Sequence, residues 1–411
     1  MKSTTSTNIF TLLVALQLIM MFFPISNMMI FVAIAVITIL MGVSINLSQK
    51  LKSALLCILA FIAVELIYSF FGNGMVVPII IYNGVVFLAA IVICHCFNKL
   101  SKKQMNILCN ITIGLFLYSI TASFILLLTD PNIIRGDAFY LDSGGGTATI
   151  ARYGGLLVPI PYGLGEALSI VVPLLLAYSF SVQQRKEKLL ILAIVFGGIL
   201  IQIMGALATS ALLTIIFSLV IFFKYIRNKG NRLVNLLPLI LVIVAIALYF
   251  IPQIDISENI QLIAKMEDVQ DSYRSGQSNG QVSTRSELYM QSIHVFLSNP
   301  LFGLGTWPSE YGHYTEDSVS LHTAMFDYLG LFGLFTLMFY AAWKKSILSS
   351  MQILPKDRQK YYRWVFASLL LLLVFKGPVS IGTNFLCSTV IFGIIVYREY
   401  NNSLANNKNE E

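Results

Sequence analysis

Arg285, His294, His313 and His322 lie within or at the exit of one polar stretch, Pro252 to Ser320, in a chain that is otherwise almost continuously apolar. A permanent cation and three side chains that titrate near neutrality are the tools of anion binding and proton transfer. That stretch is therefore where chemistry is expected, and the rest of the chain has to be read for what holds it in place.

The 411 residues are 57% hydrophobic and 11% charged, against about 25% charged in soluble domains. This composition excludes a soluble globular protein and predicts an all-α polytopic membrane protein, because lipid offers no partner for unpaired backbone groups and favours closed helices. With about 20 apolar residues needed per crossing, the sequence predicts about twelve transmembrane helices. They run Asn8 to Phe23, Met28 to Ile45, Ser53 to Phe71, Met75 to Phe97, Met105 to Leu128, Leu156 to Phe180, Leu189 to Met204, Ala206 to Phe223, Leu233 to Ile251, His322 to Trp343, Tyr362 to Phe375 and Val379 to Tyr397. The seventh and eighth form one long apolar run that must turn near Gly205. The chain thus divides into spans one to nine (1–251), a large extracytoplasmic loop carrying short helices (252–320), spans ten to twelve (321–397) and a tail (398–411).

Orientation follows from the cations, which stay on the cytoplasmic side of membrane helices. With the N-terminus inside, 21 of the 27 Lys and Arg fall on inner segments; the outer six are Arg135, Arg152, Lys265, Arg274, Arg285 and Lys376. Both termini are therefore expected in the cytoplasm. The net charge of +7 is accounted for by this asymmetry, so no nucleic-acid partner is expected. No cleavable signal is evident before Pro24, so the first apolar stretch is read as a span.

Cys57, Cys94, Cys96, Cys109 and Cys387 fall in spans or on their inner flanks, where no disulfide staples an outer loop. Cys94-His95-Cys96 resembles a metal cluster, but adjacent residues on a helix point in different directions, and the triplet reads as span filler. No metal-binding spacing occurs outside the membrane and no cofactor is expected. Glu65, Glu166 and Asp327 lie within spans, where a carboxylate is costly and normally has a partner.

In the large loop, Ser272 to Ser283 reads as a flexible link. Thr284-Arg285-Ser286-Glu287 then fits a capping box opening a helix from Arg285 to Ser298, stopped by Asn299-Pro300. Leu288, Tyr289, Ile293, Phe296 and Leu297 are its expected packing residues. Gly303 and Gly305 in Pro300-Leu-Phe-Gly-Leu-Gly-Thr-Trp-Pro308 permit tight turns or close backbone approach.

Arg285, the amphipathic helix and Pro300-Leu301-Phe302-Gly303-Leu304-Gly305 together resemble the outer-loop signature of the O-antigen polymerase and O-antigen ligase superfamily of membrane glycosyltransferases. The span count, the position of the loop and Gly330-Leu-Phe-Gly333 opening an apolar helix are similar as well. Arg152-Tyr-Gly-Gly155, followed by Pro159, Pro161 and Tyr162, looks like the family's other arginine motif. The sequence departs from the family in two places. The family's His-Asn pair stands about one helical turn farther from the glycine pair than His322, which is followed here by Thr323. Ala208-Thr-Ser-Ala211 lacks the arginine that many relatives carry there.

The resemblance implies a metal-independent enzyme that moves a glycan from an undecaprenyl-diphosphate carrier to an acceptor hydroxyl at the outer face of the bacterial inner membrane. Arg152 and Arg285 would hold the diphosphate, whose charge grows as the glycosidic bond breaks. His322 or His313 would take the hydroxyl proton, or this branch does without a histidine. Asp327 would orient a base or pair with a loop arginine, and Gly303 and Gly305 would support the loop. Polymerisation of lipid-linked repeat units into surface polysaccharide is the favoured activity, with ligation to the lipid A core as the alternative. The partners implied are the bilayer, a chain-length regulator and a flippase. A transporter or flippase for lipid-linked sugar is the competing class. It is disfavoured because 1–181 shows no similarity to the remainder and the ionisable residues gather in outer loops.

Overall fold

The computed structural model describes residues 2–22, 28–46, 48–71, 77–129, 161–204, 208–229, 281–304, 319, 323–375 and 381–407. These residues are helical with short connections, and no strand occurs among them. Thirteen α-helices follow in order: α1 (Lys2–Phe22), α2 (Met28–Ile45), α3 (Gln49–Phe71), α4 (Val77–Cys96), α5 (Lys102–Thr129), α6 (Pro161–Ser179), α7 (Arg185–Met204), α8 (Ala208–Lys229), α9 (Gln281–Ser298), α10 (Ala324–Phe332), α11 (Thr336–Met351), α12 (Lys356–Phe375) and α13 (Ile381–Asn407).

Helices occupy eleven of the twelve stretches expected as spans; the ninth, Leu233 to Ile251, lies outside the described residues. Among the described residues, four segments are long and apolar enough to cross a bilayer on their own: Lys102–Ile125, Arg185–Met204, Ser210–Arg227 and Ala324–Met351. The count of twelve crossings is a reading of the sequence, and the described helices do not fix it. The expected turn near Gly205 lies outside the described residues.

Span ten differs from its expectation. It is two helices, α10 and α11, joined by a 3-10 turn at Gly333–Phe335. Gly333 adopts φ of 59°, a conformation that ends a right-handed helix at little cost only for glycine.

Two groups of helices share α13. On one side α4 packs against α2, α3, α11 and α13; on the other α6 packs against α7, α8, α12 and α13. Phe61 of α3, Phe87 of α4 and Phe339 of α11 fill the first group, with ring centroids 5.5 Å (Phe61–Phe339) and 4.5 Å (Phe87–Phe339) apart. Trp343 of α11 is buried and donates its indole N–H to Thr389 Oγ1 of α13 at 3.0 Å, so the polar tip of a large apolar side chain is satisfied.

At the lysine- and arginine-rich end of the bundle the helices are tied by a buried polar network. Arg358 of α12 pairs with Glu399 of α13, which also accepts from Tyr362, and donates to the Ala177 carbonyl at the end of α6 at 2.8 Å. Next to it, Tyr178 donates to Glu187 at 3.0 Å and Arg398 lies 3.6 Å from the same carboxylate.

Cys94, His95 and Cys96 of α4 turn to three different neighbours. Cys94 donates to the Thr389 carbonyl, Cys96 to the Gly42 carbonyl, and the His95 ring lies 3.3 Å from the Ser346 hydroxyl. This divergence is what adjacent positions on a helix dictate.

Candidate functional site

The site begins with α9, the helix that carries Arg285. It starts at Gln281, four residues earlier than expected, because Gln281-Val-Ser-Thr284 contains neither proline nor glycine to interrupt it. The Thr284 backbone therefore lies inside the helix and not at its N-cap position, and Glu287 is exposed. Of the expected packing residues, Leu288, Tyr289, Ile293 and Phe296 are partly buried and Leu297 is 66% exposed, while the most buried positions of the helix are Ser292 and Val295. Arg285 stands seven residues, two helical turns, before Ser292 on α9.

The partner of α9 is α10, and Gly330 is why the two approach so closely. A Cβ built on Gly330 would stand 3.3 Å from the Ser292 carbonyl oxygen, 3.3 Å from Val295 Cγ1 and 2.7 Å from Val319 Cγ1. The chain leaving α9 then clasps the chain leaving α10 backbone to backbone. Leu304 N–H donates to the Gly330 carbonyl at 2.8 Å and Leu334 N–H to the Pro300 carbonyl at 2.9 Å. Gly303 has φ of 66°, and its missing Cβ would fall 2.4 Å from the Leu331 carbonyl. Gly333 mirrors it, 2.5 Å from the Leu301 carbonyl. The Pro-Leu-x-Gly and Gly-x-x-Gly motifs are thus two halves of one interlock, each needing glycine because the other's peptide occupies the space of its side chain.

Asp327 joins the same two helices through side chains, and it is fully buried. One carboxylate oxygen accepts from the Ser292 hydroxyl of α9. The other accepts from the Thr323 backbone N–H at 2.9 Å, while the Thr323 hydroxyl accepts from Phe326 N–H at 3.4 Å as the N-cap of α10. This is a reciprocal cap in which a carboxylate reaches back to the capping residue's amide. Around it, Tyr340 donates to the Ala324 carbonyl at 3.3 Å and Thr336 to the Tyr328 carbonyl at 2.7 Å.

In sequence, the amide held by Asp327 belongs to the peptide that joins His322 to Thr323. Asp327 therefore links the arginine helix to the backbone immediately after the candidate base, whereas its expected role was to orient a base or pair with an arginine. The side chain of Arg285, and all of Arg152, Gly305, His313 and His322, lie outside the described residues. Among the expected site residues, the structure brings together Asp327, Gly303 and the backbone of α9. It adds Ser292, Thr323, Gly330 and Gly333. Thr323 was recoverable as a cap residue before an apolar run; nothing in the sequence singles out Ser292.

Beside the clasp lies a cavity of about 270 Å³ lined by Leu301, Phe302, Leu334, Phe335 and Met338. Its walls suit hydrocarbon and offer nothing to a charge. Among the described residues no group of three or more His, Cys, Asp or Glu converges on one point.

Residues 195–341 match the family model described as O-antigen ligase. Over that segment the chain is similar to the O-antigen ligase family. The match contains Arg285, Gly303, Gly305, His313, His322, Asp327 and both halves of the glycine interlock, while Arg152 falls outside it. Members of the O-antigen ligase family are membrane glycosyltransferase-like enzymes, polymerases or ligases, and the family implies a lipid-linked glycan substrate in a membrane setting. No curated protein matches the chain.

Proposed function

We propose that the chain polymerises undecaprenyl-diphosphate-linked repeat units into surface polysaccharide at the outer face of the inner membrane, with both termini in the cytoplasm. The acceptor hydroxyl oxygen attacks the anomeric carbon and the bond from that carbon to the diphosphate oxygen breaks. The diphosphate leaves with the electron pair, and the hydroxyl proton passes to a base. Arg285, with Arg152, holds the leaving diphosphate, an arrangement that stabilises the transition state more than the ground state. His322 is the favoured base, with His313 as the alternative. In this reading the arginines supply the positive charge, so the enzyme is metal-independent. A flippase delivers the substrate, and a chain-length regulator limits the product.

The observation that carries this reading is the Asp327 junction, in which one carboxylate bonds both to Ser292 on the arginine helix and to the amide following His322. Two groups that must act on one bond need a shared rigid support, and a junction between the arginine helix and the backbone after His322 supports this reading.

Glycan ladder analysis in a deletion strain tests the proposal. Surface polysaccharide reduced to single repeat units, restored by the wild-type gene, is the expected result. Long chains left on the carrier lipid and absent from lipid A would make the protein a ligase. A normal ladder would refute glycan transfer by this chain altogether.

A further inference from the structure

Four cations stand on α8 and α12 with no carboxylate to meet them. Lys224 and Arg227 are three residues apart on α8, and Lys360 and Arg363 three apart on α12, spacings that make each pair neighbours on the helix surface. The two helices pack together at this level: the Tyr225 and Tyr361 rings lie 6.4 Å apart, and Lys224 Nζ stands 4.7 Å from the centre of the Trp364 ring. Trp364 follows Lys360 by one turn on the same face, and Lys360 Nζ lies 5.4 Å from the centre of the Tyr361 ring. Arg227 and Arg363 are exposed, and Lys224 and Lys360 are half-buried. Among the described residues none of the four forms an ion pair, whereas Arg358 and Arg398, at the same end of the bundle, meet Glu399 and Glu187. Asp357, three residues before Lys360, is exposed and does not pair with it.

The preference of cations for one side of a membrane accounts for how many stand at this end, but not for their gathering around one indole. Like charges three residues apart on a helix repel, and two such pairs on adjoining helices add to the cost. Contact with the Trp364 and Tyr361 rings offsets part of it and still leaves the ammonium and guanidinium N–H groups open to an anion. Toward the middle of the bundle the surface turns apolar: Phe223, one turn before Arg227, and Leu370, two turns after Arg363, are both exposed. A ligand for this place carries negative charge at one end and hydrocarbon at the other, which is the chemistry of an anionic phospholipid. We propose that α8 and α12 form a binding site for an anionic phospholipid in the leaflet at the lysine- and arginine-rich end, the cytoplasmic leaflet in the proposed orientation. Lys224, Arg227, Lys360 and Arg363 hold its phosphate through charge-assisted hydrogen bonds, and its acyl chains lie along Phe223 and Leu370. The bound lipid bridges α8 and α12. This inference does not depend on glycan transfer.

The test titrates the full-length protein in detergent with dioleoylphosphatidylglycerol or, as the zwitterionic control, dioleoylphosphatidylcholine, and counts bound lipid by native mass spectrometry. Wild type should hold one phosphatidylglycerol with an affinity about tenfold or more above that for phosphatidylcholine, a comparison that needs no variant to fold. Each neutralised cation should weaken binding about fivefold, so K224Q/R363Q should lose about 25-fold. K102Q/K103Q removes the same charge from exposed positions of α5 and should leave the affinity unchanged. In nanodiscs, phosphatidylglycerol brominated on its acyl chains should quench tryptophan fluorescence more than brominated phosphatidylcholine does, and W364F should abolish the excess.

Equal affinity of the wild type for the two lipids would overturn the proposal. So would K102Q/K103Q losing as much as K224Q/R363Q, the mark of diffuse attraction to the whole basic end. Displacement of the bound phosphatidylglycerol by inorganic phosphate would assign the four cations to a soluble anion, and displacement by an acidic peptide would assign them to a protein partner; either also overturns the lipid reading. A protein without transfer activity would strike at the proposed function, while the lipid titration would still decide this site.

Discussion

Removing the carboxylate of Asp327 is the sharpest perturbation available, because one small group holds two helices. In Asp327→Ala two buried donors lose their acceptor, the Ser292 hydroxyl and the Thr323 N–H. Each buried donor left without a partner costs about 1–3 kcal/mol. The serine has a retreat, since its hydroxyl lies 3.5 Å from the Leu288 carbonyl and can turn to it. Thr323 is fully buried, and its amide has no second acceptor among the described residues. The expected destabilisation is therefore about 2–4 kcal/mol, centred on the start of α10. Asp327→Asn keeps one oxygen for the Thr323 amide and offers N–H to the serine oxygen, so about 1 kcal/mol is expected. Thermal unfolding in detergent by size-exclusion chromatography, paired with glycan ladders from complemented cells, reads both quantities. The order Asp, Asn, Ala should hold for the melting temperature and for polymer formation, with the Ala variant still inserted in the membrane. An Ala variant as stable and active as wild type would refute the argument, and so would an Asn variant as damaged as Ala.

Three further expectations follow from the same geometry. Gly333→Ala and Gly303→Ala each force a Cβ to within about 2.5 Å of a carbonyl across the interlock; either should lower the melting temperature and activity together, while an alanine at the exposed Leu334 neighbouring them should change little, as thermal unfolding would show. Arg285→Ala should abolish polymer while leaving the protein in the membrane, and ladders from R285A and R285K both at wild-type length would remove the diphosphate-holding role. Glu399→Ala strands the Arg358 guanidinium, which keeps only the Ala177 carbonyl among its strong partners. About 3–5 kcal/mol of stability should be lost for breaking such a buried pair, so yield of monodisperse protein should collapse, whereas E399Q should retain part of it.

Much of the architecture was legible because membrane helices obey simple rules. Length and apolarity located the helices within a few residues, as with Arg185–Met204 and Lys102–Ile125. Charge asymmetry gave an expected orientation, and Asn299-Pro300 marked the end of α9, which stops at Ser298. Local signals failed where a competing choice was nearly as good. Thr284 and Glu287 matched a capping pattern, but Gln281 to Ser283 propagate a helix equally well, and α9 began earlier. Leu297 looked like a packing residue and is exposed, because close approach at Gly330 puts Ser292 and Val295 in the interface instead.

The sequence by itself determined that this is a helical membrane chain with one long polar stretch, and its segment 195–341 matches the O-antigen ligase family model. Those properties are sums over local composition and spacing, which tertiary packing cannot reverse. Only the tertiary structure decided that Gly303 and Gly333 interlock, that Asp327 is a staple between Ser292 and Thr323, and that Phe61 of α3 lies against Tyr328. Apart from the local Asp327–Thr323 bond, these are pairings between residues about 30 to 270 positions apart, and no local propensity encodes which distant group meets which. They exist because small residues let helices close on one another, and burial then favours arrangements in which polar groups such as the Asp327 carboxylate find partners.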